Sequence, residues 1–434
     1  MKVVIMAGGK GTRISSIASN IPKPMIQIQG KPVLEYTIQS LKEQGFNDFI
    51  ITISYYAEYI VNYFGDGSKY GINIEYFYEL EALGNAGALF KLKDKLTDDF
   101  LLLNADLIFD VYFERFIAFH KNHKSVVTLF THPNNHPYDS GVLVVDEEKA
   151  VVQWLTKEES RPDYYKNRVN AGLHILSPEI FDIIDIDSEI VGTIDYDGKI
   201  VKVDLDRQLL KPLAGTKKIF CYDSPEYVKD MGTPERYKMV CEELLTGKIR
   251  KNLKYLQKAI FLDRDGTINK YVGFLNNIDE FEILPGVSEA IQMINNSGYL
   301  AIVVTNQPVI ARGELTYEEL DEIHNKMETL LGSEGAYLDA IYFCPHHPHK
   351  GFKGEVVNLK INCECRKPKP GMLLEAARDF NISLTQSWII GDGENDINAG
   401  KTVGCKTALI GNKTFGQEIT ALSLLDAVNQ ILKC

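Results

Sequence analysis

The segment Phe261-Leu262-Asp263-Arg264-Asp265-Gly266-Thr267 places two carboxylates two residues apart just beyond an apolar run, so both fall on one side of an extended backbone. Carboxylates that close repel unless a cation lies between them, and the pair by itself implies magnesium. Thr305 follows the run LAIVV, Asp392 follows SWIIG, and Lys367 stands in CRKPKPGM. In a doubly wound sheet, residues at the ends of such runs meet at the carboxyl edge of the strands, where ligands bind. A hydroxyl, an ammonium and several carboxylates gathered there suit the handling of a phosphate.

A second constellation lies nearby in the chain. Cys344, His346, Cys363 and Cys365 make a Cys3His set, with His347 and His349 as competing imidazoles. Four ligands with no open position describe a structural zinc site, which would pin the 347–362 loop beside Arg366 and Lys367. The scattered Cys221, Cys241, Cys405 and Cys434 read as packing residues.

A third lies at the start of the chain, in Ala7-Gly8-Gly9-Lys10-Gly11-Thr12-Arg13. Glycines after a strand let backbone N–H groups approach a phosphate, and the positive end of a following helix adds to the attraction. The spacing is neither GxxxxGK[ST] nor GxGxxG, which disfavours the ordinary P-loop and dinucleotide readings. Lys23 follows ten residues after Arg13. The two cations can serve different phosphates, Arg13 a departing pyrophosphate and Lys23 a sugar phosphate or α-phosphate.

The elements that must position these groups can be read from the apolar runs. VVIMA (3–7), FIITIS (49–54), FLLLNA (100–105) and SVVTLF (125–130) alternate with amphipathic stretches, and a second series begins at AIFL (259–262) and runs through LAIVV, AIYF, SWII and TALI. Continuous apolar strands between helices predict α/β architecture with sheets covered on both faces, twice over. A length of 434 residues exceeds one ordinary core, and the basic stretch 246–258 separates the two series. The expected domains are therefore 1–245 and 259–434, with 246–258 as linker.

Composition narrows the partners. The chain is 45% hydrophobic and 24% charged, with a formal charge of −12, which argues against a general electrostatic grip on nucleic acid. No apolar run approaches the ~20 residues of a membrane span. The first residues run straight into a strand and glycine loop without room for a signal peptide, so a cytoplasmic address is expected.

Ordered signatures over about residues 1–245, namely GGKGTR, PKPM, LGNAGAL, LNAD, NAGLHI and DMGTPERY, resemble the sugar-1-phosphate nucleotidyltransferases. That resemblance implies a Rossmann-like GT-A-type fold, with magnesium on Asp106 and Asp230. Ala7, Gly8, Gly9, Gly11, Thr12 and Arg13 would cradle a nucleoside triphosphate, Leu83, Gly84 and Gly87 would border the base, and Asn170 and Gly172 would face the sugar. Thr156-Lys157-Glu158 departs from the Glu-Lys-Pro of many relatives; Lys157 keeps the lysine.

Residues 258–434 resemble the haloacid dehalogenase superfamily. By that resemblance Asp263 is a nucleophile and Asp265 a general acid and base. Thr305 and Lys367 bind phosphoryl oxygens, Asn306 and Gln307 lie at the substrate, and Asp392 completes a magnesium site with Asp263 and the backbone of Asp265. Asp396 supports that site, and the family's histidine spacing favours His346 as the fourth zinc ligand. The zinc loop with TNQ, ARGELT and CRKPKPGM most resembles the D,D-heptose bisphosphate phosphatases, with histidinol phosphatases as near relatives. Pro308-Val309 departs from their usual Ser-Gly. Arg366 would grip a second, non-reacting phosphate.

Together the resemblances imply consecutive steps: removal of the 7-phosphate from heptose 1,7-bisphosphate, then transfer of a nucleotidyl group, GMP from GTP, onto the α-anomer of heptose 1-phosphate. The competing expectations are a hexose transferase fused to a phosphatase of other specificity, such as histidinol phosphate, and a regulatory protein that senses sugar nucleotides. Small-molecule substrates are the expected partners, and oligomerisation is open.

Overall fold

The computed structural model describes residues 1–9, 14, 17, 21–81 and 83–433. They form two units that are not contiguous in sequence. Unit 1 comprises Met1–Thr131, Leu143–Trp154 and Asn170–Asn252; unit 2 comprises His132–Val142, Leu155–Val169 and Leu253–Cys434. Both are α/β, as the alternation of apolar runs and amphipathic stretches predicts. Among the described residues, no helix is long and apolar enough to cross a membrane.

Through the first part of the chain the elements are β1 (Lys2–Met6), β2 (Gln27–Ile28), β3 (Lys31–Pro32), α1 (Val33–Lys42), β4 (Asp48–Ile53), α2 (Ala57–Phe64) and β5 (Asn73–Tyr78). Next come α3 (Gly87–Lys91), β6 (Phe100–Asn104), β7 (Leu107–Asp110), α4 (Phe113–His123), β8 (Val127–His132), β9 (Val142–Val145) and β10 (Val151–Leu155). β11 (Val169–Leu176), α5 (Ile180–Ile183), β12 (Ile219–Asp223), β13 (Tyr227–Asp230) and α6 (Pro234–Thr246) complete this part. Strands β5, β4, β1 and β6 lie side by side and parallel.

Val3 and Ile5 enter one apolar cluster and Val4 the other, which is why β1 must be apolar throughout. β11 pairs antiparallel with β6 and brings the NAGLHI segment beside LNAD. A separate ribbon of β7 and β13 sets Leu107 opposite Asp230. α6 begins where the Thr233 hydroxyl accepts from the Arg236 N–H and Pro234 occupies the first turn.

Unit 2 continues with β14 (Lys258–Leu262), α7 (Val287–Asn295), β15 (Tyr299–Asn306), α8 (Tyr317–Ser333), β16 (Ala340–Cys344) and α9 (Gly371–Phe380). After these come β17 (Trp388–Gly391), α10 (Glu394–Thr402), β18 (Lys406–Ile410), β19 (Ile419–Ala421) and α11 (Leu424–Ile431). Its sheet runs β16-β15-β14-β17-β18-β19, all parallel. Numbered from β14 in chain order, that is the doubly wound 3-2-1-4-5-6 arrangement, which reverses direction between β14 and β17. Asp263 leaves β14 and Asp392 leaves β17, so both stand at the reversal, where such sheets open a crevice.

α8 is the longest helix of unit 2 among the described residues, and it starts with a reciprocal cap between Thr316 and Glu319. Residues 155–169 pack on its far end. The Tyr165 N–H donates to Thr329 Oγ1 at 2.8 Å, Thr329 returns a bond to the Tyr165 carbonyl at 3.0 Å, and the buried Glu328 accepts from the Asn167 N–H at 2.9 Å. A side chain in place of Gly332 would collide with Pro137.

Candidate functional site

At the reversal of the unit 2 sheet, Lys367 is buried and its ammonium reaches Asp263 Oδ1 at 2.8 Å, Asp396 Oδ1 at 2.5 Å and the Val304 carbonyl at 2.7 Å. Although burial opposes its charge, the Asp263 and Asp396 carboxylates raise its pKa above the ordinary lysine value. Asp263, Asp392 and Asp396 have carboxylate oxygens within 4.8 Å of one another. Burial and the neighbouring Asp396 push Asp263 up, and burial with Asp263 pushes Asp392 up. Three carboxylates facing one ammonium leave an excess of negative charge, and a divalent cation fits that donor set.

The glycine of DGT is required here. Gly266 has φ +84, and a Cβ on it would lie 2.2 Å from an Asp392 oxygen. Asp265 turns toward the protein, where it accepts from Asn269 at 3.0 Å and from Gln307 Nε2 at 2.8 Å and is paired with Arg264. The predicted Asn306 and Gln307 both bond within the protein. Asn306 exchanges two bonds with the Lys367 backbone, each 3.0 Å, and Gln307 also donates to the buried Thr305 hydroxyl at 2.8 Å. These contacts tie the ends of β15 to Lys367 and Asp265.

Cys344, His346, Cys363 and Cys365 bring three sulfurs and an imidazole nitrogen within 4.8 Å of one another, with Cys365 and Cys344 3.1 Å apart and Cys344 3.7 Å from His346 Nδ1. Three thiols and an imidazole gathered with no fifth donor among the described residues are the donor chemistry of a structural zinc site, so the set fits zinc. Hydrogen-bond contact with Cys344, and with Cys363 and His346 beside it, holds the pKa of Cys365 down to about 5, the thiolate end of the set. His347 instead turns Nδ1 to the His349 carbonyl, so His346 is the imidazole of the cluster. Arg366 donates to the His346 carbonyl at 3.2 Å, which ties it to the same loop.

In unit 1 the β7–β13 ribbon brings Asp106, just before β7, next to Asp230, which ends β13; the Met231 N–H donates to the Asp106 carbonyl at 3.1 Å. Lys23 bonds to Asp106, and Arg236 to Asp230 at 2.6 Å. Burial works against the charge on Asp230, but Arg236, the Gly232 N–H and Lys23 outweigh it and hold its carboxyl below the ordinary range. Two carboxylates on adjacent strand positions suit magnesium.

Asn170 and Gly172 stand together on β11. Asn170 Oδ1 accepts from the Gly172 N–H at 3.2 Å and from His174 Nε2 at 2.9 Å, which fixes the amide with its NH2 turned the other way. Gly172 has φ +77 with Asn104 beside it. Gly8 lies against the buried carboxyl of Glu79, which burial raises despite bonds from Thr52 and the Leu83 N–H. Leu83, Gly84 and Gly87 pack on Val191 and Val203. Lys157 falls in the 155–169 segment of unit 2 and pairs with Asp139 at 2.9 Å. Gly11, Thr12 and Arg13 lie outside the described residues, while Ala7 continues from β1, its N–H donating to the Thr52 carbonyl at 3.0 Å.

Sequence reasoning missed Glu79, Arg236, Arg264, His174 and His324. Arg264 and Arg236 left a faint signal, a cation within or just after an aspartate motif. The two histidines left none, because their partners are fixed by strand and helix packing.

The fold and the two sites define a protein built for phosphate chemistry twice, once at a strand-end carboxylate–lysine cluster and once at a paired-aspartate ribbon. Residues 2–237 match the Nucleotidyl transferase family, and residues 364–423 match the HAD-hydrolase-like family. The D-glycero-beta-D-manno-heptose-1,7-bisphosphate 7-phosphatase of Pasteurella multocida is 43% identical over 155 residues, covering 36% of this chain and 82% of the relative. The D-glycero-alpha-D-manno-heptose-1,7-bisphosphate 7-phosphatase of Burkholderia mallei is 41% identical over 153 residues, covering 35% and 79%. The crystal structure of HddC from Yersinia pseudotuberculosis is 26% identical, with TM-score 0.46, over 56% of this chain and 99% of that one. The chain belongs to the nucleotidyl transferase family and, in its C-terminal part, to the family of those phosphatases. It is an enzyme that joins a transferase to a phosphatase.

Proposed function

We propose that unit 2 removes the 7-phosphate of D-glycero-D-manno-heptose 1,7-bisphosphate and that unit 1 couples the resulting α-heptose 1-phosphate to GMP from GTP, releasing pyrophosphate, in the cytoplasm. The observation that carries this reading is the Asp263–Lys367–Asp396 cluster at the sheet reversal, in a segment related to heptose bisphosphatases and fused to a nucleotidyltransferase. The product of one step is the substrate of the next.

In the first step the Asp263 carboxylate attacks phosphorus, the bond from phosphorus to the C7 oxygen breaks, and Asp265 gives its proton to that oxygen. Asp265 then takes a proton from the water that attacks the aspartyl-phosphate, freeing phosphate and Asp263. Lys367 and Thr305 hold the phosphoryl oxygens, and Arg366 holds the phosphate on C1. Asp263, Asp392 and the backbone of Asp265 would hold magnesium, which supplies charge stabilisation for the transferring group. Cys344, His346, Cys363 and Cys365 would hold a structural zinc ion.

In the second step an oxygen of the sugar 1-phosphate attacks the α-phosphorus and pyrophosphate leaves from the opposite side, with no covalent enzyme intermediate. Lys23 would face the phosphates, with Arg13, outside the described residues, assigned to the pyrophosphate by the resemblance; Asn170 and Gly172 would face the sugar, and Asp106 and Asp230 would hold magnesium. The choice of guanine rests on the family resemblance of residues 1–245 alone. Incubation with either anomer of heptose 1,7-bisphosphate, magnesium and each nucleoside triphosphate in turn, read by mass spectrometry, tests both steps. Phosphate release followed by GDP-heptose is expected; no release from either anomer would overturn the substrate, and another nucleotide sugar would overturn the base.

A further inference from the structure

Arg264 is fully buried, and its guanidinium does three things at once. Nη2 lies 2.9 and 3.0 Å from the two oxygens of Asp265 and 3.0 Å from Gln307 Oε1, and Nε lies 3.3 Å from Asp265 Oδ1. Nη1, at the opposite corner of the fork, lies 3.3 Å from Nε2 of His324, sixty residues away on α8. A guanidinium only donates, so the imidazole nitrogen facing it must be a lone pair and the ring proton must be on Nδ1.

The surroundings enforce that state. His324 is buried, its ring packs against Phe343 of β16, and the positive charges facing it are Arg264 and Lys166. Burial and those two cations keep its pKa well below the ordinary histidine value. Without an acceptor at Nη1, a buried N–H would be stranded at a cost of about 1–3 kcal/mol, and the guanidinium would tilt to find another partner. Any tilt moves the bonds on Asp265, because all of them come from one rigid plane.

We propose that His324 is a positioning residue of the phosphatase, a neutral acceptor that fixes the Arg264 fork and through it the aim of Asp265. This rests on the reading of Asp265 as general acid and base. In the first half-reaction, which forms the aspartyl-phosphate, a group that acts through the acid matters when the leaving oxygen needs a proton and matters little when it does not; the base step that follows is the same for every substrate.

The test uses the full-length enzyme with zinc and magnesium. Phosphate release is measured from heptose 1,7-bisphosphate, whose alkoxide must be protonated, and from p-nitrophenyl phosphate, whose phenolate leaves unaided. His324→Leu is expected to lower kcat/KM, which reports only the steps up to departure of the leaving group, roughly tenfold on the sugar phosphate and less than about twofold on the aryl phosphate. His324→Gln, which restores a neutral acceptor, is expected to recover most of the loss. Equal losses on both substrates, or no recovery by glutamine, would overturn the proposal. Arg264→Lys keeps the charge without the fork and must show the same substrate contrast, which keeps the test valid if His324→Leu folds poorly. Asp265→Asn separates the two readings: if it lacks the contrast, the acid role fails; if it shows the contrast and His324→Leu does not, the positioning role alone fails.

Discussion

The two sites handle the same group with opposite charge arrangements. Among the described residues of unit 1, Asp106 and Asp230 each have a cation of their own, Lys23 and Arg236. In unit 2, Asp263, Asp392 and Asp396 share Lys367, so negative charge is in excess before any metal arrives. The first site is near neutral and suits a metal delivered with a nucleoside triphosphate. The second suits a resident cation, which would relieve the repulsion among its carboxylates that Lys367 offsets only in part.

The sharpest way to break this comparison is to remove one carboxylate from each side. Asp263→Asn should reduce phosphate release from the bisphosphate by at least about 10⁴-fold, since a missing nucleophile has no substitute, while pyrophosphate release continues when heptose 1-phosphate is supplied directly. Asp106→Asn should lower pyrophosphate release roughly 10²–10³-fold and leave phosphate release intact. Loss of both activities in either variant would contradict separable sites. Cys363→Ser should lose zinc, measured as metal per chain, and melt at lower temperature with the change confined to unit 2; full zinc content would refute the ligand set.

Magnesium alone sharpens the comparison further. At a hundredfold excess over its Kd it should protect unit 2 against hydrogen exchange by about 2.7 kcal/mol, and protect unit 1 only once nucleotide is added. Equal protection of both units by metal alone would end the distinction. The smallest effect concerns His174, whose pKa burial lowers to about 3. It folds neutral, so its contribution is complete above the unfolded value near 6.5 and is lost as pH falls toward 3. His174→Gln should flatten that part of the unit 1 stability curve and change stability at pH 7 by about 1 kcal/mol or less.

What was legible in the sequence was what strand ends dictate. Asp263, Thr305 and Asp392 converge because a parallel sheet brings the ends of its strands to one edge, Lys367 reaches them from the loop before α9, and the cysteines converge because their spacing leaves few alternatives. The antiparallel placement of β11 was not legible, since NAGLHIL is as apolar as a parallel strand. Nor were the inward turn of Asp265 and the bonds of Asn306 and Gln307 to protein groups, because each depends on side chains distant in sequence. Nothing in the composition of 132–142 or 155–169 marks them as packing with residues 253–434.

That packing has a consequence for synthesis. Residues 155–169 leave the ribosome about 160 residues ahead of Thr329, the α8 residue that binds the Tyr165 backbone. At ordinary elongation rates, roughly 5–20 residues per second, the segment waits on the order of ten to thirty seconds before its support exists. During that interval the Tyr165 and Asn167 backbone groups are unmatched, and β11, the strand that carries Asn170, begins at the segment's last residue. Unit 2 is therefore closed by its latest-made part: the segment 155–169 can pair its backbone only once α8 has been synthesised.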